Sequence, residues 1–168
     1  ASRALIKNEF SGHEFSLIKD PRLCLVADFW KKRFEEEGFE VSAVHIFRNP
    51  QEVCTSLSKR DEISASHASA LWIEHIRGAE QFCQNINFAR FQFNQLMEEP
   101  DAVCRTIEAL FGGFEINLEH FRNWIDPGFI NNRFSSISTN QEPLLLRALN
   151  IFQRVSSLSS RESPPDHF

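Results

Sequence analysis

The sequence predicts an α/β fold in which a parallel sheet is covered by helices on both faces. Short apolar or alternating runs each give way to a longer segment of helical period. Two of those changeovers also carry the same residue chemistry. The chain has 168 residues, enough for one domain with its own core and few for two. Hydrophobic residues at 42% and charged residues at 24% are the balance of a globular chain that stays in water.

In chain order, residues 14–18, 41–47 and 86–93 read as strands, each followed by a helical pattern. The first helix is expected over 21–37, with Leu23, Val26, Ala27, Trp30 and Phe34 on one face and Gly38 closing it. A second should run from Pro50 to about Arg60. A third, over 66–84, turns Ala70, Leu71, Ile73, Ile76 and Phe82 largely inward. A fourth covers 101–111 and stops at Gly112 and Gly113. Residues 118–124 and 143–158 are helical in period as well. No internal repeat is present, so residues 1–160 read as one domain and residues 161–168 as a loose tail. The start at Ala1, with Met97 the one methionine, suggests a fragment or a processed product.

The net charge of −5 speaks against a nucleic-acid partner, which would need a strong local basic patch. No apolar run approaches the roughly 20 residues that span a bilayer, and the first ten residues lack the order of a signal peptide. No membrane association and a cytoplasmic location are therefore expected. Cys24, Cys54, Cys83 and Cys104 are widely spaced, as free thiols of a reducing compartment would be, and they match neither a zinc site nor a disulfide framework. With no tyrosine in the chain, no phenol can act as acid, base or phosphate ligand.

The two matching changeovers are Ile18 into Lys19-Asp20-Pro21 and Phe47 into Arg48-Asn49-Pro50. Each places a cation at a strand's carboxyl end, an Asx residue where it can cap a helix, and Pro at the helix's first position. The second adds Glu52, close to a capping box. The carboxyl edge of a parallel sheet is where such folds bind ligands, and helix amino termini favour anions. Lys19 and Arg48 would make that edge an anion site; ordinary helix starts with solvated cations are the competing explanation.

The stretch Val44-His45-Ile46-Phe47-Arg48-Asn49-Pro50-Gln51-Glu52-Val53-Cys54-Thr55-Ser56-Leu57 resembles the 3′-phosphate-binding segment of sulfotransferases that use PAPS, 3′-phosphoadenosine 5′-phosphosulfate. The resemblance implies that Arg48 and Ser56 hold the nucleotide's 3′-phosphate. Ile18-Lys19-Asp20-Pro21-Arg22-Leu23 is similar to the lysine-bearing strand end of bacterial, glycan and tyrosylprotein sulfotransferases, which implies a catalytic Lys19 facing the transferring sulfonate or its leaving phosphate. Ala70-Leu71-Trp72 and residues 91–100 follow the family's order. Phe93 stands where the family usually has Tyr, which keeps stacking near the adenine and loses the hydroxyl. Asn132 and Arg133 fall roughly where the family brings a late basic loop to the 3′-phosphate, so Arg133 joins the nucleotide-binding set; a plain surface loop fits them equally.

The resemblance covers about residues 15–112 and implies a P-loop-NTPase-like, three-layer parallel sheet that is incomplete on its amino-terminal side. Nothing in residues 1–14 resembles the family's 5′-phosphosulfate loop, and Gly12 stands alone there. The implied reaction is transfer of a sulfonate from PAPS to an acceptor hydroxyl, preferably on a carbohydrate, with PAP as product and no metal. Such a reaction needs placed cations and N–H donors around spreading negative charge, not a covalent nucleophile. The alternative is a non-catalytic module that binds nucleotide or a protein partner. A kinase-like nucleotide binder ranks lower, because no Gly-x-x-x-x-Gly-Lys-Ser/Thr loop is present.

Among other polar residues, His13 is a weak candidate base, better explained as exposed. Arg22 reads as solvated surface, and His67 and His75 lack carboxylates at ligand spacing. His45, inside a strand pattern, reads as a hydrogen-bonded core residue. A missing first strand would leave an open sheet edge, to be covered by another chain, a neighbouring subunit or residues outside this numbering.

Overall fold

The computed structural model describes residues 2–112, 115–125 and 142–158. Helix α1 (Ser2–Phe10) comes first, then a single 3₁₀ turn (Leu23–Leu25) and α2 (Ala27–Glu36). Strand β1 (Ser42–Phe47) leads into α3 (Pro50–Asp61) and α4 (Ala65–Cys83), and β2 (Asn87–Gln92) follows. After it come α5 (Phe93–Glu98), α6 (Pro100–Phe111), α7 (Leu118–Trp124) and α8 (Pro143–Ser157). The fold is α/β and mostly helical, with two parallel strands paired in the register Ser42↔Asn87 through Phe47↔Gln92.

Helices pack on both faces of this small sheet. On one, Phe47 joins Trp72, Ile73 and Ile76 of α4 with Ala148, Ile151 and Val155 of α8. On the other, Ala89 and Phe91 meet Val103 of α6. A third cluster locks α3, α4 and α8 together through Cys54, Ala68 and Leu145. Gly78 is where α4 meets the Leu23–Leu25 turn: a Cβ there would sit 2.6 Å from the Cys24 carbonyl oxygen, so only glycine admits the contact.

Both strands and the later helices lie within a residue or two of their expected bounds, but the inward face of α4 differs: Ile73 and Ile76 are buried as expected, whereas Leu71 is exposed and Trp72 takes the core position. Residues 14–18 correct the reading: they form no strand. Their pattern suits a pleated surface, but among the described residues no strand pairs with them. Leu17 is 87% exposed. The helix expected over 21–37 is split as well, because Val26 takes non-helical angles between the 3₁₀ turn and α2. Helices α1 and α5 were not expected. Helix α1 buries Ile6 alone among its residues, too little to show as a periodic face. Helix α5 is a six-residue turn closed by reciprocal capping between Gln92 and Gln95.

Candidate functional site

Parallel pairing puts the carboxyl ends of β1 and β2 side by side, and the residues just beyond each end meet. The Arg48 guanidinium lies over the Phe93 ring, 4.4 Å from its centroid. Arg48 also reaches Glu52 at 3.3 Å, one turn into α3. Its backbone carbonyl accepts a hydrogen bond from the Trp72 indole N–H at 3.1 Å, so the buried Trp72 of α4 fixes where the strand turns into the helix. The Asn49 side chain caps α3 by accepting from the Gln51 N–H at 2.9 Å, with Pro50 at the first helical position. Glu52 pairs with Arg48 and does not close the capping box that its spacing suggested.

Arg48 Nε is buried and has no hydrogen-bond partner among the described residues. A buried donor left unmatched costs free energy, and the exposed part of the same guanidinium is where an oxygen anion could approach beside the Phe93 face. The amino terminus of α3 starts at the same turn, where Pro50 has no N–H and the Gln51 and Val53 N–H groups are already bonded to Asn49. Ser56 lies on α3, about 9 Å along the axis from Pro50 at 1.5 Å per residue. It is half-buried, and no hydrogen bond among the described residues joins it to Arg48. The structure therefore brings Arg48 and Phe93 into contact and holds Ser56 on the helix that follows.

Lys19 is exposed in the irregular segment before the 3₁₀ turn. The matching turn chemistry gives different structures: Asp20 accepts from the Arg22 N–H at 2.7 Å and grips its guanidinium, but only the short turn follows. Arg22 holds the exposed Asp20 carboxyl well below the usual carboxylate range. Arg22 is thus a surface ion-pair partner. Asn132 and Arg133 lie outside the described residues. His13 and His67 are exposed, and His75 Nδ1 lies 2.7 Å from the Leu71 carbonyl of its own helix. Among the described residues no three His, Cys, Asp or Glu side chains could hold a metal ion, and no helix is long and apolar enough to cross a membrane.

Beneath the strand ends is a buried charge cluster. Arg90 of β2 donates to Glu80 of α4 through both Nε, at 2.9 Å, and a terminal nitrogen, while His45 Nδ1 lies 3.0 Å from the same carboxylate. Burial alone would raise the Glu80 carboxyl, and the hydrogen bonds from His45 and Arg90 outweigh it, holding the group below its ordinary value. His45 is the hydrogen-bonded strand residue its pattern implied. The Glu80 it meets is 35 positions away in the chain, so nothing local in the sequence pointed to that partner. The four cysteines are free, and burial pushes the Cys83 thiol up to about 12, where it is inert as a nucleophile.

No protein-family model matches the chain, and no curated protein or solved structure does either.

Proposed function

We propose that the chain is a sulfotransferase-like nucleotide-binding protein that takes the 3′-phosphate of an adenosine 3′,5′-bisphosphate at the Arg48 turn. The observation that carries the reading is Arg48 itself. It is a cation at the carboxyl edge of a parallel sheet, stacked on Phe93, with a buried Nε awaiting an acceptor. A phosphate oxygen would meet the part-exposed guanidinium while the α3 amino terminus adds a favourable dipole end. Glu52 already neutralises part of the charge, so phosphate must displace or share that pairing. Ser56 supplies a hydroxyl farther along α3, and Phe93 or a neighbouring apolar surface would cover the adenine.

In this reading the fold is a P-loop-NTPase-like three-layer sheet whose remaining strands lie outside these residues. PAPS is the donor, a hydroxyl, preferably of a carbohydrate, is the acceptor, and PAP is the product. PAPS would bring the activated sulfonate. The chain's own residues would anchor and orient the nucleotide, and Lys19 would neutralise charge at the leaving phosphate once carried to the strand ends. A cytoplasmic site of action accords with four free thiols, three of them buried. The second reading is a module that binds nucleotide without turnover. It is favoured by the exposed position of Lys19, which the described residues do not gather to Arg48. Calorimetric titration with adenosine 3′,5′-bisphosphate and, separately, adenosine 5′-monophosphate tests the shared core of both. Binding of the first at least tenfold tighter supports 3′-phosphate recognition, and equal or absent binding refutes it.

A further inference from the structure

Two open cavities lie along β2, whose one neighbouring strand among the described residues is β1. One, about 460 Å³, lies beside Phe88 and Ala89 and is closed by Arg105, Ala109 and Leu110 of α6. The other, about 310 Å³, lies beside Arg90, Phe91 and Gln92, is bounded by Glu99 and by Val155 of α8, and reaches Phe47 at the end of β1. Both share Ala102 and Thr106, so together they form one groove along β2 from Phe88 to Gln92, roofed by α6. Four consecutive residues of β2, Phe88 to Phe91, are buried. Strand β2 itself carries no Pro or Lys, no other strand among the described residues pairs with its outer edge, and a strand buried on both faces is ordinarily an interior one.

The same chain carries a segment that fits this groove. Residues 14–18 have a strand pattern and form no strand; Leu17 is 87% and Ile18 41% exposed. Six residues, 14–19, match the six of β2. The charges fix the direction. Arg105 stands at the amino-terminal end of the groove and Glu99 at its carboxyl end. Glu14 and Lys19 bracket the segment, and none of these four forms an ion pair among the described residues. Laid parallel to β2, the segment sets Glu14 by Arg105 and Lys19 by Glu99. Laid antiparallel, it sets like charges together.

We infer that residues 14–19 of a second copy of this chain dock as a third, parallel strand on the outer edge of β2. The docking covers Leu17 and Ile18 and gives their backbone the partners it lacks. It also carries Lys19 of the second copy to the carboxyl edge of the sheet, two strand spacings, about 10 Å, from the end of β1 where Arg48 sits. The inference does not rest on nucleotide binding, and its readout is mass alone.

Sedimentation velocity of the chain over about 1 to 100 µM, a range that brackets micromolar affinity, tests it. Self-association above the 19.5 kDa monomer is expected. Leu17→Asp, at a site too exposed to unfold the chain, should abolish it. Lys19→Glu should weaken association about tenfold, and adding Glu99→Lys should restore it. A monomer at every concentration overturns the inference. So does self-association that Leu17→Asp leaves intact or that the charge exchange fails to rescue.

Discussion

Arg48 and Glu80 show how differently two charges are held. Arg48 keeps a buried Nε unmatched at the sheet's edge, whereas Glu80 spends both oxygens on Arg90 and His45 beneath it. Removing one member of a buried pair strands the other, so Glu80→Ala should destabilise the fold by about 3–5 kcal/mol in chemical denaturation. The fold lowers the Glu80 carboxyl, so its stabilising contribution is present above the unfolded value of about 4.3 and is lost as pH falls through the lower folded value. The melting temperature should therefore drop between about pH 5 and pH 3, and the drop should be shallower in Glu80→Gln. At this scale the sequence revealed the Arg48 turn, because Arg-Asn-Pro is a local signal with a local cause. It could not reveal that Glu80 meets Arg90 and His45, since that contact exists only once α4 crosses the two strands.

Local elements split along the same line. The Asn49 cap and Pro50 start α3 as their residue types require, and Asn49→Ala should cost about 1 kcal/mol by equilibrium unfolding. The Lys19-Asp20-Pro21 turn has the same chemistry, yet yields a 3₁₀ turn pressed on α4 at Gly78. Gly78→Ala must push that turn away from the helix and should destabilise by about 1–3 kcal/mol, with the loss confined to hydrogen-exchange protection of residues 20–36. Strands β1 and β2 were legible because each has a partner in the same chain. Residues 14–18 carry an equally good pattern and remain irregular, because a strand is a property of a pair and periodicity describes one member.

The whole molecule depends on its last described helix. Helix α8 supplies Leu145 to one core cluster and Ala148, Ile151 and Val155 to another, tying α3 and α4 to the sheet. Leu145 is fully buried, and Leu145→Ala should cost about 2–5 kcal/mol. A chain ended at residue 142 should lose its cooperative thermal transition altogether. The α/β class and the helical cover on both faces were readable from alternating periods, because burial imposes those periods. The number of strands was not, since two strands satisfy the same local pattern as a larger sheet. The central claim is that the Arg48 turn holds a 3′-phosphate. Calorimetric titration of adenosine 3′,5′-bisphosphate into the wild-type chain and into Arg48→Ala, both shown folded by circular dichroism, tests it most directly. Saturable binding by the wild type, weakened at least a hundredfold in the variant, is the expected result. A folded wild-type chain that takes up no nucleotide, or a variant that binds as well as the wild type, would contradict it.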